Sequence, residues 1–326
     1  MTTNAQPRTA IFLLNLGGPQ TLKEVRPYLF ELFADKKILQ IPTVVRLPLA
    51  GLLSTLRAPS SRRKYALIGN GSPLVKETRA QAEALQAKLG EDFRCVLAMR
   101  CGHPNTKEAV AEALAWGAER GVALPLYPQF ARPTTLSSLE ELRERWPSSL
   151  PLHEVRSYPV DPLYIEATAL CLEEALAQLT PQAAAVRLVV FSAHGLPMRD
   201  VRAGDPYEEE MKATAAALAA RCGLHDGEWR LTYQSRVRPR EWLGPDTEKT
   251  MGQIAKGRGL VLVPIAFVSE HLETLYDLDI LARQAAERAG ALQVVRAQTP
   301  GARPEFILAL AGQVGRSLQQ PVELAA

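Results

Sequence analysis

Apolar residues in this chain alternate between short continuous runs and longer stretches of helical periodicity. Thr9 to Leu16, Phe93 to Met99, Val122 to Tyr127, Leu152 to Ser157, Arg187 to Phe191, Arg230 to Gln234, Leu260 to Val268 and Leu292 to Arg296 read as strands. The strongest of these runs are apolar throughout rather than alternating, which predicts strands buried on both faces, as in a parallel sheet. Helical periodicity covers Thr21 to Ala34, Asn105 to Arg120, Thr134 to Trp146, Asp161 to Leu179, Thr247 to Gly257 and Arg303 to Leu318. Two further helices have readable starts. Ser72 is placed to cap one beginning at Pro73 and running to about Leu89, and Asp205-Pro206 opens another, with Glu208 spaced for a capping box. Strand and helix alternate up to Pro147–Pro151, where the pattern restarts. The expected architecture is α/β, with two similar halves, each a mostly parallel sheet flanked by helices, and a cleft between them. The halves span 8–150 and 151–320.

One apolar segment fits neither class. Lys36 to Arg57 is Ile-, Leu- and Val-rich, and Pro42 and Pro48 are expected to break it into short pieces. Such a segment reads as a lip beside a binding cleft or as a membrane-surface patch, and the lip, at about 36–57, is the preferred reading. The basic stretch that follows, Arg57 to Lys64, reads as a turn.

With 326 residues, 47% of them hydrophobic, the chain has length and apolar content for one large domain or two ordinary ones. A net charge of +3, with the basic residues scattered, excludes nucleic-acid binding as the default function. The N-terminal residues MTTNAQPRTA carry no signal-peptide core, and no apolar run reaches the roughly 18 residues of a spanning helix. A cytoplasmic protein is expected. Cys95, Cys101, Cys171 and Cys222 form no C-x-x-C pair and are expected to be reduced. Gly17-Gly18-Pro19 ends the first strand but lacks any phosphate-loop signature. Its glycines would instead let a flat or bulky group approach the strand end.

The richest chemistry lies in GLVLVPIAFVSEHLETLYDLDI, residues 259–280. A buried strand leads into a helix on which Glu270, Glu273 and Asp277 fall at i, i+3 and i+7, with His271 beside them. Three carboxylates on one ridge repel unless they face something cationic, and no Lys or Arg follows before Arg283. The carboxyl end of a strand in an α/β sheet is where ligands bind, so the ridge suggests a divalent metal or protons in transit. His194 ends another buried strand, on the same expected edge, and is placed to accept protons beside a metal path.

These residues together resemble ferrochelatase. The resemblance is carried by LLNLGGP at 13–19, Arg57-x-Pro59 leading to Tyr65, GNGSP at 69–73, FSAHGLP at 191–197, GDPY at 204–207, YQSRV at 233–237, WLGP at 242–245 and PIAFVSEHLETLYDLD at 264–279. The motifs run in the family's order from about residue 10 to 310. The resemblance implies two Rossmann-like halves and insertion of ferrous iron into a porphyrin lying in the cleft, and the apolar lip favours protoporphyrin IX over a porphyrin with four propionates. It assigns the proton-accepting histidine to His194 and the metal-side glutamate to Glu273, both as metal ligands. His271 and Asp277 flank them. Arg57, Tyr65 and Ser72 fall to the porphyrin propionates, Trp242 to the cleft wall, and Arg100 is grouped with these substrate contacts. Iron is a substrate, no cofactor is tightly bound, and no iron–sulfur cluster is expected because no cysteine follows Cys222. A coproporphyrin III ferrochelatase and a non-catalytic tetrapyrrole carrier are the alternatives. Three departures stand out: Arg238 and Asn70 where glycines are usual, and Cys101 where many members have an aromatic residue.

Overall fold

The structure is a computed structural model that describes residues 7–36, 38–39, 41–234 and 241–320. Arg238 therefore lies outside the described residues. The chain forms two compact units. One is built from the chain up to Tyr127, Ala131–Tyr158 and the stretch from Ile307 on, the other from Pro128–Phe130 and Pro159–Phe306. The division differs from the expected 150/151 boundary for a clear reason. The strand at 152–154 pairs with the first unit's sheet, and most of the last helix, Pro304–Leu318, goes with that unit too.

In the first unit, strands β1 (Thr9–Asn15), β2 (Phe93–Met99), β3 (Arg120–Pro125) and β4 (Leu152–Glu154) form a parallel sheet in the order β2-β1-β3-β4. In the second, β5 (Arg187–His194), β6 (Trp229–Gln234), β7 (Gly259–Pro264) and β8 (Gln293–Arg296) form another in the order β6-β5-β7-β8. Each sheet thus starts at its centre and grows first to one side and then to the other. The crevice at the carboxyl ends, where the direction of growth reverses, is the ligand position of such sheets. Parallel pairing requires long crossovers, which here are mostly helical. β1 is buried along its whole length, with Phe12 edge-on to Trp146 at 5.2 Å. In the second unit Leu188, Val190, Leu260 and Leu262 pack with Met251 and Leu278.

Three local expectations change. Of the breaks expected at Pro42 and Pro48 only the first is present: Pro42 stands at the start of helix Thr43–Leu67, which runs through Pro48, Pro59 and the supposed turn at Arg57–Lys64. Each internal proline leaves the carbonyl four residues earlier, on Val44 or Thr55, without its helical donor. Both residues are exposed, so water can take the donor's place. The strand expected over Leu260–Val268 stops at Pro264. The helix after it is a π-helix, Glu273–Ala282, and a shorter π-turn, Arg132–Leu136, follows β3.

Candidate active site

β5 is buried from Leu188 to Ala193 and delivers His194 to its carboxyl end, half-exposed. β7 ends at Pro264, and the chain then runs to the π-helix, which begins at Glu273. The two ends lie on the same edge of one sheet, as expected. His194 Nδ1 and Glu273 Oε2 are 2.8 Å apart. The Tyr207 hydroxyl donates to the His194 carbonyl at 3.0 Å, fixing the strand end from the other side. The Trp242 ring stands edge-on to the imidazole at 6.4 Å. Trp242 is held there because 241–243 pairs with the 196–198 loop: Leu243 N donates to Leu196 O and Met198 N to Glu241 O.

Burial alone would lower the pKa of His194, but the Glu273 carboxylate, its hydrogen bond and the more distant Asp277 outweigh burial and raise it. Burial alone would likewise raise Glu273. The His194 charge and hydrogen bond, His271 and Gln234 instead pull it down to about 2. Both shifts favour the imidazolium–carboxylate form of the pair. His271 behaves differently. Burial lowers its pKa, and its Nδ1 faces the Ser269 carbonyl at 3.1 Å. A carbonyl only accepts, so Nδ1 carries the hydrogen and Nε2 keeps its lone pair.

The acidic ridge does not survive as read. An i→i+5 helix turns more widely than an α-helix, so α-helical spacing misassigns its faces. Glu270 lies ahead of the π-helix and is bound to Arg296 at 2.9 Å, to Thr299 N and Oγ1, and to the Thr274 hydroxyl. Arg296, on β8, also pairs with Asp279 at 2.9 Å. The cation missing near Glu270 in the sequence is thus supplied from 26 residues downstream. Glu273 and Asp277 remain, Asp277 half-buried and felt by His194 only as charge. Among the described residues, no group of three or more His, Cys, Asp or Glu side chains could hold a metal ion.

In the first unit, Arg57 is exposed, with its guanidinium 6.0 Å from the centre of the Phe33 ring. Tyr65 and Ser72 are buried, and Ser72 Oγ accepts from Leu74 N, the first residue of the helix, one residue past the expected start, where Pro73 takes the cap position. Arg100 is largely engaged within its own unit. It pairs with the fully buried Asp35 carboxylate at 2.8 Å and donates to Ser137 Oγ. The glycines of LNLGGP and GNGSP also have internal reasons. A Cβ on Gly17 would lie 1.9 Å from the Cys101 carbonyl oxygen, and one on Gly71 would lie 2.1 Å from that of Gln20. The close approach is by the protein's own backbone. Asn70 has φ 71°, the left-handed region that asparagine tolerates, so this departure keeps the loop shape. All four cysteines are free, and burial raises their thiols to about 11 or 12.

Gln234, Tyr207 and Ser192, each in contact with the His194–Glu273 pair or its supports, were not among the residues singled out. The signal was present, since all three lie inside the quoted motifs YQSRV, GDPY and FSAHGLP.

Comparison with known proteins bears on the whole chain. A sequence model of the Ferrochelatase family matches residues 8–318. The chain is 42% identical over 317 residues to the ferrochelatase of Caulobacter vibrioides, covering 95% of this chain and 90% of that one. It is 43% identical over 328 residues to the ferrochelatase of a Synechococcus species, covering 96% and 84%. Among solved structures, SirB from Bacillus subtilis with Fe3+ superposes with a TM-score of 0.59 over 96% of each chain, at 13% identity, a likeness of fold alone. With the family's motifs in order and relatives matched nearly end to end, the chain belongs to the ferrochelatase family.

Proposed function

We propose that the chain inserts ferrous iron into protoporphyrin IX, with His194 and Glu273 as the residues that meet the metal and the pyrrole protons. Iron insertion into a porphyrin follows from family membership. The choice of porphyrin and the residue roles are the finer reading, and the observation that carries the roles is the 2.8 Å His194–Glu273 pair at the carboxyl edge of the second sheet. Insertion releases two pyrrole protons, so the site needs a base. Where His194 holds a proton in the resting pair, it takes a pyrrole proton only after losing its own. Hydrated ferrous iron approaching Glu273 competes with the imidazolium for the same carboxylate, and metal binding at such a pair releases a proton. The His194 side chain is 40% exposed, which gives that proton a path to water. His194, now neutral, can accept from the pyrrole, and the Nε2 of His271 offers a further ligand as iron sheds water.

Substrate choice rests on helix Thr43–Leu67. Arg46, the single charge in the stretch from Ile38 to Leu56, donates to Ile41 O and Thr43 Oγ1, both at 2.9 Å, and so is spent on its own helix start. Burying a vinyl against Ile, Leu and Val gains on the order of 1 kcal/mol, whereas an unpaired buried carboxylate costs several. Protoporphyrin, with two propionates, suits this surface better than coproporphyrin, with four. The same helix exposes Val44, Val45, Leu47, Leu52 and Leu56, carries Arg46, Arg57, Arg62, Arg63 and Lys64, and has no acidic residue. That combination suits peripheral contact with an anionic membrane surface. Among the described residues no helix is long and apolar enough to cross a membrane.

The test is an anaerobic assay of the purified chain with ferrous iron and each porphyrin, followed by the metalloporphyrin spectrum. Turnover of protoporphyrin with a higher kcat/KM than coproporphyrin supports the reading. Equal or better use of coproporphyrin overturns the substrate assignment, and binding without turnover favours a carrier.

A further inference from the structure

Gln234 is the last residue of β6 and lies directly opposite His194 in the parallel pairing with β5. It is 4% exposed, and every polar atom of its side chain is engaged. Nε2 donates to Glu273 Oε2 and to the Glu273 carbonyl, both at 3.3 Å. Oε1 accepts from the Ser192 hydroxyl at 3.0 Å. The amide can face only one way, because a carboxylate and a carbonyl accept and do not donate. Its main chain also takes part, with Gly195 N donating to Gln234 O at 2.9 Å. One residue thus holds the chain just past His194 through its backbone and Glu273 through its side chain.

The support behind Gln234 is equally fixed. Ser192 Oγ lies 2.9 Å from Thr247 Oγ1, which lies 2.9 Å from Thr232 Oγ1, and Thr232 donates to the Phe191 carbonyl. Thr232 spends its proton on that carbonyl, so Thr247 donates to Thr232. The Ser192 proton then serves both Thr247 and Gln234 Oε1. Ser192, Thr232 and Thr247 are all buried, so no bulk water competes for these bonds.

We propose that Gln234 is a positioning residue for iron insertion: oriented by Ser192, it sets the Glu273 carboxylate against His194. It touches neither iron nor porphyrin, and acts by holding Glu273 at the 2.8 Å distance to Nδ1. The proposal rests on the roles given above to His194 and Glu273. Misplacement of a reacting group by about 1 Å can cost on the order of 10²-fold in rate.

The test compares Gln234→Met and Gln234→Glu with the parent chain and His194→Ala in the anaerobic iron assay. Porphyrin affinity is read by fluorescence quenching, and folding by the thermal midpoint. Gln234→Met removes the donor at similar length, and kcat is expected to fall roughly 10- to 100-fold. Porphyrin Kd should stay near the parent value and the thermal midpoint should fall only modestly, as the buried Ser192 hydroxyl loses its acceptor, a split that a purely structural role would not produce. Gln234→Glu keeps the Ser192 bond but faces Glu273 with a second acceptor, and its kcat should fall at least as far. If Gln234→Met does not fold, the isosteric Gln234→Glu decides. A parent-like kcat in whichever variant folds overturns the proposal, as does a fall in kcat matched by equal losses of porphyrin affinity and thermal stability. Should His194→Ala prove unimpaired, the underlying assignment of roles fails. Should it be impaired while Gln234→Met is not, only the positioning role fails.

Discussion

The ends of β1 and β5 occupy matching places in two sheets of the same strand order, and their chemistry differs completely. Both strands are central and buried, and both end in a turn closed by proline, Pro19 in one and Pro197 in the other. Three residues before each proline stand Leu16 and His194. The third strand of each sheet leads to a π-helical segment, RPTTL in the first unit and ETLYDLDILA in the second. Near the end of β1, Asn15 binds Thr78, and Arg100, just past β2, is bound to Asp35 and Ser137. At β5 a titratable pair, His194 and Glu273, is left partly exposed, at 40% and 23% of their side-chain surface. A guanidinium held by a buried carboxylate cannot take part in proton transfer near neutral pH, whereas an imidazole beside a carboxylate can. A shared framework therefore places a largely enclosed ion pair in one unit and a partly exposed, titratable one in the other.

The largest expected effect breaks the titratable pair. Glu273→Gln keeps the volume and removes the charge, so turnover should fall by more than roughly 10³-fold, and His194→Ala should cost roughly 10²–10⁴-fold. Steady-state iron insertion measures both, with circular dichroism confirming the fold. A Gln variant with parent activity would remove Glu273 from the reaction.

The enclosed pair answers to a different measurement. Arg100→Met leaves the buried Asp35 carboxylate without its cation and should destabilise the fold by roughly 3 kcal/mol. Porphyrin affinity should change little if the Arg100 charge is spent inside the protein. Denaturant unfolding and fluorescence titration separate the two, and a loss of affinity without a loss of stability would return Arg100 to the substrate contacts.

Asp277→Asn should be milder than either active-site change, about tenfold or less in kcat, because Asp277 reaches His194 only through space. Greater sensitivity at Asp277 than at Glu273 would invert the assignment.

The smallest effect is in pH dependence, and it sharpens the contrast between the two pairs. His194 is raised above its ordinary 6.5 and Glu273 is lowered from 4.5 to about 2. The stability their pairing contributes is whole between 4.5 and 6.5. It is lost in acid as pH falls toward about 2, and in alkali as pH rises through the raised His194 value. The difference in thermal midpoint between the parent and Glu273→Gln should be largest in that window and shrink at alkaline pH. In the same variant, an NMR titration of His194 should show its pKa lowered, because burial then acts with less opposition.

Much of this was legible in the residues alone. Continuous apolar runs such as AIFLLN and LVLVP, short and bounded by turn residues, fit strands buried on both faces, and the structure has strands there. Ser72 stands beside the helix start expected there and accepts from the first helical residue, and His194 stands where a buried strand ends. Other features depended on partners remote in the chain. Glu270 reads as part of a reactive ridge until Arg296, on another strand, is seen to neutralise it. Helix Thr43–Leu67 survives its prolines because the freed carbonyls lie on exposed residues, and exposure is not written in the local sequence. The π-helical turn after β7 alters which carboxylates share a face, and α-periodicity cannot reveal it. What the sequence determined by itself was the alternation of elements and the family's motifs, since both rest on short-range patterns. What only the tertiary structure decided was which charges are spent and which are left to react. That depends on desolvation and on distances of about 3 Å between residues far apart in the chain.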